Sequence, residues 1–533
     1  MEQMISASKA RKAAAVALAA ATTASTETAT ATTETATTVT ATTTVTATTT
    51  VTATATTTAT PPETKHRLDA VQMGALNAAM TGANILISGP AGCGKSLLID
   101  SIVERMRAAG RRVVVTSTTG SSAQLIGGKT VYSYLSIGIG TSPVEDLVRN
   151  IRMRKQKPKY TDIDCLIIDE ISMMSGELMA KIEEICRTIR YCRPQKPFGG
   201  LQMIIVGDFY QLPFIVGEMD RTFCFEHERF NEWFPKKVVL NTIYRLRSTT
   251  ALTATATAAE TAAETANAAA TTTNTWLTVL QEARNGSISE STYRCLEGRK
   301  MTKNSKAKFE YDRLIADNLQ PTRIYPRKIQ VETINQRELN ALAAPKVTFE
   351  PVLAIQRSHG CLLTPSKIRS KLSADMEKIK PVVCCVGAQV MVTKNFKDGV
   401  LVNGTRGVVM EITESGVVII RTKDGRLHAI ERVSEPFDAV AAASQDSSWE
   451  ATVSVMPLQL AWAVTIHKSQ GMTLDLVECD LGHTIFECGQ AYVALSRVRD
   501  LNSIFITNLS KNAFRTNEKV VAFYDGLVGL VEK

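Results

Sequence analysis

From Pro61 onward, short apolar, β-prone runs are separated by longer stretches of helical period. The first set covers residues 85–88, 113–116, 165–168, 203–206 and 238–240. This alternation predicts a parallel sheet covered by helices, an α/β architecture. Between two of the runs, Leu178, Ile182, Ile185 and Ile189 fall on one helical face, with Ser175 placed as its cap.

A second alternation uses residues 322–325, 476–479 and 504–507 and predicts a second α/β lobe. Within it, residues 390–430 read as short alternating strands separated by Asn403-Gly404, Ser415-Gly416 and Asp424-Gly425 turns. They predict a small inserted β-barrel. Two stretches fit no element: residues 13–60 and 248–274 are almost wholly Ala, Thr and Val, with no periodic face to bury. The expected boundaries are therefore a disordered tail at 1–62, a first lobe at 63–247 with a short wedge near 139–162, and an Ala/Thr-rich insertion at 248–275. The second lobe follows at 276–380 and 456–533, with the barrel between them at 381–455.

Composition narrows the partners. The 533 residues carry net charge +9, and the Ala/Thr stretches contribute only Glu27, Glu34, Glu260 and Glu264, so the rest of the chain is more basic than the total. A basic surplus suits a polyanion, because neutralised phosphates release counterions. The 11 cysteines are scattered without Cys-x-x-Cys spacing, which excludes a zinc ribbon and fits a reducing compartment. Lys9-Ala-Arg-Lys12 followed by Ala13–Ala21 superficially resembles a leader, but the run passes straight into the repeat. No segment is apolar for long enough to span a membrane. The expectation is an intracellular protein of nucleus or mitochondrion, or a virus-encoded one, neither secreted nor membrane-bound.

The strongest chemical signal is Gly89-Pro90-Ala91-Gly92-Cys93-Gly94-Lys95-Ser96, directly after one apolar run and before a helical one. This is P-loop sequence in P-loop context. Its amides can wrap the phosphates of ATP, Lys95 can reach the β- and γ-phosphates, and the Ser96 hydroxyl can take a Mg²⁺ position. The run at 165–168 ends in Asp169-Glu170, placing one carboxylate for Mg²⁺ and one to polarise the attacking water. A third run leads into Gly207-Asp-Phe-Tyr-Gln-Leu-Pro213, where Gln211 can sense the γ-phosphate.

The segments Asp169-Glu-Ile-Ser-Met-Met-Ser-Gly-Glu177, Pro197-Phe-Gly-Gly-Leu-Gln202, Gly207–Pro213, Thr465-Ile-His-Lys-Ser-Gln-Gly471 and Tyr492-Val-Ala-Leu-Ser-Arg497 together resemble the PIF (petite integration frequency) helicases, superfamily-one relatives of RecD. The resemblance runs from Leu68 to Tyr524 apart from the Ala/Thr insertion. It implies two RecA-like P-loop NTPase lobes with a small SH3-like β-barrel inserted in the second. It also implies that Gln72 reads the adenine and that Arg245 and Arg497 are arginine fingers. Thr116, Thr118, Gly120, Tyr132 and Tyr134 match the strand-contacting motifs of the first lobe, and His467, Lys468, Ser469 and Gln470 that of the second. The alternative for Tyr132 and Tyr134, a core aromatic pair, is the weaker reading. The basic run Arg149, Arg152, Arg154, Lys155, Lys157 and Lys159 reads as a strand-separating wedge or as a solvated face.

Three positions depart from the family pattern: Tyr132 stands where His is usual, Phe214 where a second Pro is common, and Leu246 where Gln is common. The implied activity is ATP-dependent DNA unwinding, 5′-to-3′ on single-stranded DNA, by a monomeric motor acting at forked duplexes. The alternatives are an ATP-regulated remodeller that separates no strands and a helicase for RNA or RNA–DNA hybrids.

Overall fold

The computed structural model describes residues 68–531, apart from 139, 154, 191–194, 215–221, 245–273, 317–319, 358–363, 378, 395, 397–400, 402–403, 423 and 437–448. The expected tail, nearly all of the Ala/Thr insertion, Arg154, Arg245 and Asn403 lie outside the described residues. Residues 62–533 form one unit.

Asp69 opens the first helix, α1 (Ala70–Met80), through a capping box: its side chain accepts from Gln72 N, and the Gln72 side chain accepts from Asp69 N. Six strands follow: β1 (Ile85–Ser88), β2 (Val113–Ser117), β3 (Lys129–Thr130), β4 (Cys165–Asp169), β5 (Gln202–Gly207) and β6 (Lys236–Val239). They form one parallel sheet in the order β3-β2-β4-β5-β1-β6. Every residue of β1, β4 and β5 is buried, because helices cover both faces. Alternate side chains divide between two cores: Leu86, Leu166, Ile168 and Ile205 enter one, Ile85, Ile87, Ile167 and Ile204 the other. Burying each such side chain contributes about 1.5–3 kcal/mol.

α2 (Lys95–Ala108) follows β1, α3 (Val144–Met153) carries Arg149 and Arg152, and α4 (Gly176–Ile189) follows β4. The Ser175 hydroxyl caps α4 by accepting from Leu178 N at 3.2 Å, and Leu178, Ile182, Ile185 and Ile189 are all buried. The apolar side of α3, Leu147, Val148 and Ile151, packs into the same core, so this helix of the expected wedge region is docked on the first half. The Arg149 guanidinium pairs with Asp146 one turn earlier.

The second half begins with a helix over residues 274–285 and continues to β7 (Thr322–Tyr325) and α5 (Lys328–Ala341). Ten strands follow: β8 (Val347–Phe349), β9 (Val352–Arg357), β10 (Val382–Cys384), β11 (Gln389–Val392), β12 (Arg406–Ile412), β13 (Val418–Thr422), β14 (Leu427–Ile430), β15 (Val433–Pro436), β16 (Trp449–Val455) and β17 (Leu458–Leu460). The chain then returns to β18 (Ala463–Thr465), β19 (Val477–Leu481), α6 (Gln490–Leu495), β20 (Ile504–Leu509) and α7 (Glu518–Val531). The second parallel sheet has the order β18-β7-β19-β20.

The insertion is an antiparallel five-stranded sheet, β14-β13-β12-β11-β17, with its own apolar core. Gly404, Gly416 and Gly425 at its turns all have φ between 81° and 91°, as the Asn-Gly, Ser-Gly and Asp-Gly pairs demand. Its extent is wider than residues 381–455. β17 completes the sheet beyond Val455, and β9 pairs with β16 over six residues.

The last helix departs from the expected division. Val520, Tyr524 and Leu527 of α7 are buried in the core of the first sheet, although residues 456–533 read as second-lobe sequence. Their spacing gives α7 one apolar face, and periodicity does not specify which sheet receives it.

Candidate active site

The P-loop joins Ser88 at the end of β1 to Lys95 at the start of α2. Gly92 and Gly94 have φ of 83° and 82°, a conformation that strains any side chain. At Gly89 the constraint is space: a Cβ would lie 2.7 Å from the Leu240 carbonyl oxygen. Lys95 Nζ donates to the carbonyls of Gly89 at 2.7 Å and Pro90 at 2.9 Å, folding the ammonium over its own loop. Ser96 is exposed in the first turn of α2. The helix N-terminus and the ammonium together make an anion site.

Asp169 ends β4, and Glu170 follows in the left-handed region at φ 55°, a strained conformation for a residue with a side chain. Both carboxylates are buried. Burial, and secondarily the charge of Glu170, holds the Asp169 carboxyl well above the usual carboxylate range. A cation beside it would reverse that shift. Asp169 and the exposed Ser96 hydroxyl are hard oxygen donors on the wall of one cleft, a set that fits Mg²⁺.

That cleft, of about 370 Å³, brings the expected residues together. Its first-half wall holds Ala91, Gly92, Gly94, Lys95, Ser96, Asp169, Glu170 and Gln211. Its second-half wall holds Gly471, Thr473, Arg497 and Arg499. Gln211 Oε1 is buried there without a hydrogen-bond partner, an unsatisfied polar atom that a bound ligand would complete. Arg497 is fully buried and donates to the carbonyls of Val493 (2.8 Å), Ser469 (3.1 Å) and Met472 (3.1 Å), so in this state its guanidinium is held by its own lobe.

Several expected residues are placed otherwise. Gln72 does not line the cleft; besides its capping-box bonds it donates to the Cys93 carbonyl at 3.2 Å and so braces the P-loop from behind. Cys93 is buried under that loop, and burial raises its thiol pKa. Thr116 and Thr118 are buried, their hydroxyls donating to the carbonyls of Ile167 (2.9 Å) and Glu170 (2.7 Å). They sit behind the carboxylates, and of that motif Gly120 is exposed. Tyr132 and Tyr134 are half-buried against the first core, with the Tyr134 hydroxyl donating to the Lys159 carbonyl at 3.1 Å. In the second-half motif Lys468 is exposed and His467 half-buried, whereas Ser469 and Gln470 are fully buried. Gln470 Nε2 donates to Glu170 Oε2 at 2.8 Å, which places it in the cleft's chemistry.

Comparison with known proteins decides the relationship. Residues 63–293 match the PIF1-like helicase family. The chain is 32% identical over 465 residues to the ATP-dependent DNA helicase PIF1 of Danio rerio, covering 86% of this chain and 64% of that protein. It is 31% identical to the uncharacterized protein 030L of Invertebrate iridescent virus 6, covering 87% and 94%. The crystal structure of Pif1 helicase from Candida albicans superposes with TM-score 0.68 at 29% identity, covering 87% of this chain and 100% of that one. The chain belongs to the PIF1-like helicase family.

Its two parallel sheets are accordingly the RecA-like fold of a Pif1 helicase. The chain spans 64% of the length of the zebrafish protein it matches. Among the described residues no helix is long and apolar enough to cross a membrane, and no group of three or more His, Cys, Asp or Glu is placed to hold a metal.

In this PIF1-like chain, sequence reasoning missed Tyr244, Thr473 and Arg499 in the cleft wall and Asp208 behind it. Tyr244 N donates to Gly92 O at 2.9 Å, and the Tyr244 hydroxyl donates to Asp69, tying the P-loop to the α1 cap. Asp208 lies inside the Gly207–Pro213 segment. Thr473 and Arg499 each lie two residues beyond a motif position, at a distance only the folded loop makes relevant.

Proposed function

We propose that this chain is an ATP-dependent DNA helicase that translocates 5′-to-3′ on single-stranded DNA. One observation carries the reading: a P-loop with its two carboxylates and the arginine of Leu495-Ser-Arg497 line a single cleft, from different parallel sheets. Nucleotide binding in such a cleft draws the sheets together, and hydrolysis releases them. Surfaces gripping one DNA strand then shift relative to each other.

The P-loop amides and Lys95 hold the phosphates of ATP. Ser96 and Asp169 would hold Mg²⁺, which would supply positive charge to offset that of the phosphates. Glu170 orients the attacking water, Gln211 senses the γ-phosphate, and Arg497 and Arg245 stabilise charge in the transition state. Gln72, behind the P-loop, sets the loop's position. The strand runs over His467 and Lys468 on the second lobe and past Gly120, Tyr132 and Tyr134 on the first. The β insertion acts as an SH3-like barrel that clamps DNA, and residues 139–162 form the wedge at a fork. A monomeric motor of this kind serves DNA replication, repair, recombination or genome and telomere maintenance, in nucleus or mitochondrion or for a virus.

The test is unwinding of labelled duplexes bearing a 5′ or a 3′ single-stranded tail, with Lys95→Ala as control. The 5′-tailed duplex alone should open, and only with ATP and the intact lysine. ATP turnover stimulated by single strands without any opening would instead identify a remodeller, and preference for a ribose tracking strand would identify an RNA or hybrid motor.

A further inference from the structure

Behind the cleft lies a second polar cluster that none of these roles uses. Asp208, at the end of β5, is fully buried. Arg284, from the helix over residues 274–285, grips it with two hydrogen bonds, Nε to Oδ2 at 3.1 Å and an Nη to Oδ1 at 2.8 Å. The Arg284 guanidinium lies over the ring of Tyr210 at 4.1 Å and that of Tyr524 at 5.1 Å.

Two buried phenols complete the cluster. The Tyr492 hydroxyl accepts from the P-loop amide of Ala91 at 2.9 Å and donates to Asp208 Oδ2 at 3.3 Å. The Tyr524 hydroxyl lies 3.3 Å from Asp208 Oδ1, accepts from Phe209 N at 3.2 Å, and bonds Ser88 at the entrance to the P-loop. Arg284 and Tyr492 belong to the second half; Asp208, Ala91 and Ser88 belong to the first; Tyr524 comes from the C-terminal helix α7. Gly489, one residue before α6, fits against the carbonyl oxygens of Tyr210 and Gln211, where a Cβ would stand 2.7 and 2.8 Å away.

We propose that Asp208, Arg284, Tyr492 and Tyr524 are positioning residues, a joint that holds the P-loop in register with α6 and the Arg497 that follows it. Tyr492 stands in α6 and Arg497 two residues past its end, so fixing the phenol against Ala91 fixes where the guanidinium starts its approach. A doubly bonded ion pair whose carboxylate is fully buried resists opening on each cycle, because separating it leaves the Asp208 charge desolvated and unpaired. The lobes therefore turn about this joint, and the cleft opens on its far side. α7 serves the same end: it closes the chain back on the first sheet and presents Tyr524 to both β1 and β5.

The inference rests on the ATPase reading for its catalytic consequence and on hydrogen exchange for its geometry, so the two fail separately. In the full chain, Tyr492→Phe removes one hydroxyl and leaves the ring. Exchange of the amides in residues 88–95 should quicken, and the kcat of strand-stimulated ATP turnover should fall about tenfold with KM changed less than about threefold. Tyr524→Phe should do the same more weakly, and Arg284→Lys, which keeps the charge but loses the fork, should lie between. A lowered melting temperature with P-loop exchange and kcat at the wild-type level would make the cluster a structural staple and overturn the proposal. A wild-type chain that turns over no ATP would sink the ATPase reading, while exchange in the variants would still decide the joint.

Discussion

Gln470 of the second sheet's motif donates to Glu170 of the first, Nε2 to Oε2 at 2.8 Å, with both side chains buried. Gln470 caps the C-terminal end of the short helix Ile466–Ser469, whose Lys468 is exposed. One turn of helix thus has a cation on the surface and an amide on a carboxylate of the cleft. Under the proposed function, that turn would couple strand contact at Lys468 to water activation at Glu170. The other amide atom, Gln470 Oε1, is buried without a partner.

Gln470→Glu would set a second carboxylate against Glu170. A lost hydrogen bond to a charged group is worth about 1.5–3 kcal/mol, and the added repulsion increases the loss. Stimulation of ATP turnover by single-stranded DNA should fall at least about tenfold, since each 1.4 kcal/mol is a factor of ten. Measuring turnover with and without oligonucleotide decides it. A stimulation ratio equal to that of the wild type would mean that the contact couples nothing.

Glu170→Gln tests the carboxylate itself. The amide can still accept from Gln470 but cannot take a proton, so kcat should drop by about 10²–10⁴. Nucleotide affinity, measured with a fluorescent analogue, should stay near the wild-type value. Loss of binding instead of turnover would assign Glu170 to holding nucleotide rather than orienting water.

The first sheet was legible in the sequence because its strands are buried on both faces, so Ile85, Ile167 and Ile204 sit in continuous apolar runs. The P-loop and the Asp169-Glu170 pair were legible because phosphate chemistry fixes residue types at fixed spacing. The joint around Asp208 was not. Arg284 lies 76 positions away from Asp208 and Tyr524 lies 316, and neither sits in a chemical motif. The burial of Thr116 and Thr118 was hidden for a related reason: a hydroxyl pattern suited to phosphates suits neighbouring strand carbonyls equally well. β9 pairs with β16 across nearly a hundred residues, which local alternation cannot reveal.

Gly489→Ala probes the approach of the two halves without touching a polar group. The position has φ 77°, and its Cβ would stand 2.7 Å from the Tyr210 carbonyl oxygen, backbone that cannot swing aside. Left-handed strain costs about 1–2 kcal/mol, and overpacking adds about 1–3 kcal/mol. Urea unfolding should show a loss within that combined range. A variant as stable as the wild type would indicate that the loop over Tyr210 and Gln211 is free to retreat from α6.

His467 would give the proposed strand-binding face a pH dependence. Burial lowers its pKa from the ordinary value of 6.5, and the nearby Glu487 carboxylate opposes that shift only in part. The imidazole is therefore neutral at physiological pH. Below 6.5 the unfolded chain takes up a proton that the folded site resists, so stability contributed by the neutral ring is present above 6.5 and is lost as pH falls through the folded pKa. His467→Gln removes the titration. The stability difference between wild type and variant should be constant from pH 7 to 8 and shrink as pH falls below 6.5. On the binding side a neutral ring releases no counterion. Near pH 8 His467→Gln should leave the salt dependence of single-strand binding unchanged, whereas Lys468→Ala should reduce its slope by about 0.7, the value for one phosphate of a single strand. Fluorescence anisotropy of a labelled oligonucleotide across a salt series reads both slopes. An equal reduction in the two variants would mean that His467 is protonated in the folded chain, contrary to its burial.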